Sequence, residues 1–277
     1  MTILLTGVSS GIGHATATLL LEAGHQVFGT VRKLADAEQL SLHPAFSALK
    51  MDVTDRESIK AAMQAVAAAG QPLNAVINNS GIAVSGPLET IAEEDYRKQF
   101  DVNVFGMLAV CQEALPLLHA ARAAGETNVK IINVSSVSGY VTAPFTSLYS
   151  SSKFAVEAIT DGFRRELMSF GIDAISIAPG PVKTPIWEKA KVQTKAFAGT
   201  RYDYILEKLE PYLESTIKQA IPAERVAQKI VKVVTAARPR PDQLVMKSGY
   251  VVRIVRQLPK RIQDKLFLKN IEGNRRY

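Results

Sequence analysis

The 277-residue sequence has few of the residues that build covalent or metal scaffolds: one cysteine, Cys111, and four histidines, His14, His25, His43 and His119. One thiol excludes an intrachain disulfide and any cysteine-based metal cluster. The histidines show no metal-ligand spacing, so no metal site is expected. Cys111 falls in an apolar helical pattern, which marks a packed thiol rather than a nucleophile. The chain also lacks low-complexity tracts and fixed-period repeats, and with only 13 prolines nothing in it suggests disorder. It opens without a basic-then-apolar leader and has no apolar run long enough to cross a bilayer, so a cytoplasmic protein is expected.

Positive charge is missing where a nucleic-acid binder would spread it. The net charge is +7, yet nine basic residues against Asp264 and Glu272 fall between 243 and 277, leaving the first 242 residues neutral overall. Basicity confined to a tail argues against a nucleic-acid surface. With 47% hydrophobic residues the chain can build a large core, and a single domain over 1–277 is expected.

What is present is a regular alternation. Apolar runs at 2–5, 26–31, 46–51, 73–77, 130–135, 173–178 and 243–246 read as strands with helical patterns between them. That order predicts an α/β fold: one doubly wound, parallel, Rossmann-type sheet of about seven strands with helices on both faces. The first helix is expected to bury Ile12, Ala15, Leu19 and Ala23 and to stop at Gly24. A long helix carries Tyr96, Phe100, Asn103, Met107, Val110, Ala114 and Leu118 on one face, with a bend expected at Pro116. Asn103 is the odd member of that face: a buried amide there either ties down backbone or holds a water.

Between the first strand and its helix stands Thr6-Gly7-Val8-Ser9-Ser10-Gly11-Ile12-Gly13. In that context glycines let the backbone approach a pyrophosphate, and the helix N-terminus supplies N–H groups and positive dipole. No acid ends the second strand, where a ribose 2′-hydroxyl would want one. Arg32 and Lys33 stand there instead and Asp36 lies further on, so Arg32 points to NADP(H). Asp52, after the third strand, is placed to reach an adenine amino group. Asn78-Asn79-Ser80-Gly81 follows the fourth strand, at the edge where such sheets bind ligands.

The stretch from Ser136 to Lys153 carries the chemistry. Tyr149 and Lys153 are four apart, so on a helix their phenol and ammonium share a face, and a fixed ammonium favours the phenolate. Ser136 ends a buried strand and can meet the phenol. Beyond the sixth strand, 186–221 is the least periodic long stretch and carries Trp187, Phe197, Tyr202, Tyr204 and Tyr212, the pattern of a lid spanning 185–221. The extension over 248–277 holds an apolar stripe, Val251, Ile254, Leu258, Ile262 and Leu266, beside Arg253, Arg256, Lys260 and Lys265, and Pro259 breaks it in two. Packing of this stripe on the protein itself is favoured over contact with an anionic membrane.

Together, Thr6-Gly7-x3-Gly11-x-Gly13, Asp52, Asn78-Asn79-Ser80-Gly81, Asn103, Ser136, Tyr149-x3-Lys153 and Pro179-Gly180 with Thr184 resemble the short-chain dehydrogenase/reductase family over about residues 2 to 247. The usual third residue of the Asn-Asn motif is Ala, where this chain has Ser80. The resemblance implies a catalytic set of Asn103, Ser136, Tyr149 and Lys153. Tyr149 would exchange a proton with the substrate oxygen and Ser136 would hydrogen-bond that oxygen. Lys153 would lower the Tyr149 pKa and bind the nicotinamide ribose, and Asn103 would hold a water linked to Lys153. It also implies an NADP(H) site made by Gly7, Ser9, Ser10, Gly11, Ile12, Gly13, Arg32, Asp52, Val53, Asn79, Gly81, Tyr149, Lys153, Pro179, Gly180, Val182 and Thr184. Within the family the chain is similar to retinol and hydroxysteroid dehydrogenases and related bacterial members, which implies a hydrophobic ketone, aldehyde or alcohol as substrate. A homo-oligomer is expected by analogy. The competing expectations are an NAD-dependent alcohol dehydrogenase of the same family, a non-catalytic NADP sensor, and a lipid-binding protein organised by the basic tail.

Overall fold

The computed structural model describes residues 1–185, 199–203, 211, 214–247 and 249–272, with side chains as far as 267. The described strands are β1 (Thr2–Thr6), β2 (Gln26–Val31), β3 (Phe46–Lys50), β4 (Leu73–Asn78), β5 (Val129–Val134), β6 (Ile172–Pro179), β7 (Val182–Lys183), β8 (Ile221–Pro222) and β9 (Asp242–Val245). Seven form one parallel sheet in the order β3-β2-β1-β4-β5-β6-β9. This is the expected Rossmann-type sheet, with the order reversing between β1 and β4. Every residue of β1 and β4 is buried, which requires helices on both faces.

On one face α1 (Gly11–Glu22) packs against α6 (Ala223–Thr235) over Leu5, Val27, Ile77 and Ile177. The other face is covered by α2 (Arg56–Ala68), α4 (Met107–Ala123) and α5 (Ser147–Leu167) over Leu4, Val76, Ile131 and Ala174. The short parallel pair β7–β8 joins Val182 to Ile221 and so brings together the two ends of the expected lid. Trp187, Phe197, Tyr204 and Tyr212 lie outside the described residues.

Four details correct the sequence reading. First, α1 buries Gly13, Thr16, Ala17, Leu20 and Leu21 instead of the face from Ile12 to Ala23. Nearly all of α1 is small or apolar, so its composition does not fix a phase. Second, the long helix runs as α3 (Glu93–Phe100), a π-helical segment Asp101–Gly106, and α4. The departure from α geometry is thus at Asn103, and α4 continues through Pro116. The wider turn keeps Asn103, Met107, Val110, Ala114 and Leu118 buried, puts the buried Gln99 on their line and leaves Tyr96 exposed. Third, the run 93–123 does match a membrane span in length and apolarity, but it packs on β4 and α2 as a core helix.

Fourth, the tail forms α7 (Gly249–Gln257) and α8 (Lys260–Glu272), interrupted near Pro259 as expected, yet Val251, Ile254, Ile262 and Leu266 are exposed. Val252 and Val255 are the residues of α7 that turn inward, while Leu258, just past its end, is half-buried.

Candidate active site

The glycine-rich turn is fixed by close approach. Gly7 and Gly11 sit at φ +72° and +57°, where side chains are strained. A Cβ at Gly13 would lie 2.0 Å from the Gly7 carbonyl oxygen, so no other residue fits. Asn79 locks the turn to the end of β4: its Nδ2 donates to the carbonyls of Thr6 and Gly7, each at 3.0 Å. The Thr6 hydroxyl accepts from the N–H groups of Asn79 and Ser80, both at 2.9 Å. Ser10, at the N-cap of α1, makes no side-chain capping bond, so the first-turn N–H groups are left for an outside acceptor. Thr184 packs against Gly11: a Cβ on Gly11 would meet the Thr184 Cγ2 at 3.0 Å.

Around this turn, Ser9, Ser10 and Arg32 are exposed and Ile12 is half-buried. Arg32 stands just beyond β2 with no ion pair to any described residue. Asp52 uses Oδ1 to accept from the Thr54 amide at 2.9 Å and hydroxyl at 2.7 Å, so that oxygen shapes its own turn. Val53, next to it, is buried against Gly106, where a Cβ would stand 2.8 Å from the Val53 carbonyl. Gly180 donates to the Val245 carbonyl at 3.0 Å, which holds Pro179-Gly180 at the shared end of β6 and β9.

Ser136, Tyr149 and Lys153 lie together near this turn. Ser136 follows β5, its hydroxyl accepts from the Ser138 amide at 3.1 Å, and it lies near enough to the Tyr149 phenol to draw that group's pKa down. Tyr149 and Lys153 lie on α5, with the ammonium 5.7 Å from the phenol ring centroid. Lys153 is buried and donates to the Val134 carbonyl at 2.9 Å. Burial pushes its pKa down to about 8, against the pull of Glu157. The Tyr149 phenol is pushed up by burial and drawn back by Ser136.

Asn103 projects from the π-helical segment. Its Nδ2 donates to the Ile82 carbonyl at 2.9 Å and to the Ser152 hydroxyl at 3.1 Å, and its Oδ1 accepts from the Ile82 amide at 2.9 Å. It therefore ties the loop after β4 to α5, the backbone-anchoring alternative of the sequence reading. A Cβ on Gly81 would come within 3.4 Å of Asn103 Oδ1 and 3.8 Å of Lys153 Nζ, so the three positions converge.

Other residues of this region went unremarked in the sequence. Gln99, fully buried, accepts from the Val84 amide at 2.7 Å and donates to Ile82 at 2.9 Å, a second brace on the same loop. Its signal was a polar residue four before Asn103. Glu157, one turn past Lys153, accepts from Ser176 at 2.6 Å and from the Tyr140 hydroxyl at 3.3 Å. Burial pushes that carboxyl up. A Cβ on Gly139 would stand 3.0 Å from Glu157 Cγ, so the loop after Ser136 is moulded around this side chain. In that loop Phe145 takes φ +63°, rare for an aromatic residue, and meets Tyr202 edge-on at 6.0 Å. Tyr202 in turn donates to Glu89 at 2.8 Å, and of the expected lid aromatics it is the one within the described residues.

Known proteins resemble this chain in sequence and in fold. The family model for short chain dehydrogenase matches residues 1–195. An NADPH-dependent 3-dehydrocapnine reductase of Ornithobacterium rhinotracheale is 37% identical over 273 residues, covering 97% of this chain and 96% of its own. A 3-ketodihydrosphingosine reductase of Bacteroides thetaiotaomicron is 32% identical over 238 residues, covering 86% of this chain and 84% of its own. Among solved structures, a short-chain dehydrogenase from Streptomyces avermitilis superposes with TM-score 0.79 at 24% identity over 99% of this chain and 98% of that one. A short chain dehydrogenase from Burkholderia cenocepacia in complex with NADP gives TM-score 0.76 at 21% identity over 96% and 97%. These two share the fold, while the family match and the two reductases carry the assignment: the chain belongs to the short chain dehydrogenase family.

Proposed function

We propose that the protein is an NADPH-dependent reductase that interconverts a hydrophobic ketone or aldehyde and its alcohol, with Tyr149 as the general acid. The observation that carries this reading is the meeting of Ser136, Tyr149 and Lys153 beside a glycine-rich turn with an uncapped helix N-terminus. Residues of the turn fit a dinucleotide: Gly7, Gly11 and Gly13 admit close approach, Asn79 braces the turn, and the first-turn amides of α1 suit a pyrophosphate. Arg32, exposed and unpaired among the described residues, suits a 2′-phosphate. When bound, the cofactor supplies hydride to the carbonyl carbon.

The chain's own groups manage the proton. Ser136 holds the substrate oxygen, and Tyr149 passes its proton to that oxygen as the alcohol forms. Its raised pKa keeps the phenol protonated and ready to donate. Lys153, fixed by Val134, holds positive charge beside the phenol so that the phenolate left behind is not isolated. Phe145, four residues before Tyr149, stacks edge-on with Tyr202 and supplies aromatic surface suited to an apolar substrate. The two reductases, named for 3-dehydro and 3-keto compounds, support both direction and functional group.

The test is NADPH oxidation by the purified protein across ketones and aldehydes of increasing chain length, with Tyr149→Phe alongside. Turnover should favour the longer apolar carbonyls and fall about 10²- to 10⁴-fold in the variant. NADPH binding without turnover of any carbonyl, or a variant as active as wild type, would overturn the proposal.

A further inference from the structure

The strongest unexplained feature outside the cleft is the outer face of the two C-terminal helices. Helix α7 is seated by Gly249, where a Cβ would lie 2.9 Å from Leu244 Cδ2, and by Arg256, whose guanidinium lies 5.1 Å from the Tyr140 ring centroid. Tyr140 follows Ser136 by four residues, so α7 lies at the rim of the candidate active site. Its inward face is already engaged through the half-buried Val252 and Val255. The outward face nevertheless carries Tyr250 and Ile254, 68% and 56% exposed, and Val251, and α8 adds Ile262 and Leu266, also exposed. A water-facing apolar stripe over two successive helices is not explained by folding of the chain alone.

The flanking charge selects what covers it. Arg253, Lys260, Arg261 and Lys265 are exposed beside the stripe, and none makes an ion pair with a described residue. Asp264 is the one acid between 249 and 267. A second copy docking through the same face would set these cations against their own duplicates across a two-fold axis. A negatively charged surface with an apolar interior just beneath satisfies both halves of the pattern, as it does for helices lying in the plane of a membrane interface.

We propose that α7 and α8 dock the protein on an anionic lipid bilayer, apolar stripe inserted and basic residues against the headgroups, with the rim of the cleft next to the membrane surface. The inference rests on the exposed stripe and its charges and not on the proposed reaction.

Co-sedimentation of the full-length protein with phosphatidylcholine vesicles, with and without phosphatidylglycerol, tests it. Wild type should bind only the vesicles containing phosphatidylglycerol and be released by salt. Ile254→Asp combined with Ile262→Asp should weaken that binding about tenfold or more, and so should Arg253→Glu combined with Arg261→Glu. Circular dichroism and NADPH oxidation with a water-soluble ketone should stay near wild type in both variants, since neither pair belongs to the cleft. Absence of binding to phosphatidylglycerol vesicles overturns the proposal. So does light scattering in which the aspartate pair splits a dimer while vesicle binding is unchanged, because the stripe would then be a subunit interface.

Discussion

Lys153 depends on a residue that does not touch substrate in the proposed reaction. Burial lowers its pKa to about 8, and the carboxylate of Glu157 is the group pulling the other way. The surrounding titratable groups are Tyr149 on the same helix, Tyr140 with Arg256 over its ring, and Asp242 on β9, which pushes the Glu157 pKa up. Glu157→Gln removes the upward pull, so Lys153 loses its proton at lower pH. The alkaline limb of kcat/KM for carbonyl reduction should then move to lower pH, with a loss on the order of tenfold near pH 9 and little change near pH 6. An unmoved limb with a uniform loss would mean that Glu157 only supports packing. The sequence made Tyr149 and Lys153 legible because helical spacing alone aligns them. Glu157 was illegible, since a glutamate on a helix ordinarily faces water, and only the burial supplied by Ser176 and Tyr140 gives it a role.

At the scale of elements, β5 and α6 are joined by an unusual cap. Lys130, 1% exposed, donates to the carbonyls of Val234 at 3.2 Å and Ala236 at 2.7 Å, and Asn128 donates to Val234 at 3.0 Å. Ammonium at a helix C-terminus complements the dipole and the unpaired carbonyls. Burial nevertheless lowers the Lys130 pKa from 10.5 to about 8, with Asp173 opposing the shift. Between those values the unfolded chain binds more protons than the native one, so this residue makes stability rise with pH across the window and costs most below it. Lys130→Met should flatten the rise in Tm between pH 8 and 10.5 relative to wild type; equal slopes in calorimetry would refute the assignment. The seven strands of the main sheet were legible to within a residue or two, because each is a short, mostly apolar run closed by polar or turn residues, whereas the two-residue pair β7–β8 is too short to leave a pattern. Helix phase was less so: α1 is mostly small or apolar residues that mark no single face, and the π-helical segment at Asn103 shifts the register in a way no α-helical pattern anticipates.

For the molecule as a whole, cofactor choice is the property a single exposed residue is expected to set. NADPH should raise the Tm more than NADH at equal concentration, and Arg32→Asp should weaken NADPH roughly 10- to 100-fold, the worth of a charged hydrogen bond, while improving NADH. Thermal shifts that ignore the substitution would remove Arg32 from the site. The fold itself was legible because the alternation of strand and helix spans the chain, whereas the exposure of the tail was not, since an amphipathic stripe does not state what it faces. Pairing of α1 with α6 also bears on how the protein is made. Ala17 and Leu20 leave the ribosome some two hundred residues before the surface they meet, which includes Val226 and Ile230. Until then that side of the nascent sheet stays greasy and open, the kind of surface that chaperones hold. A chain cut short before α6 should therefore collect in inclusion bodies, however complete its glycine-rich turn and its Tyr149 helix.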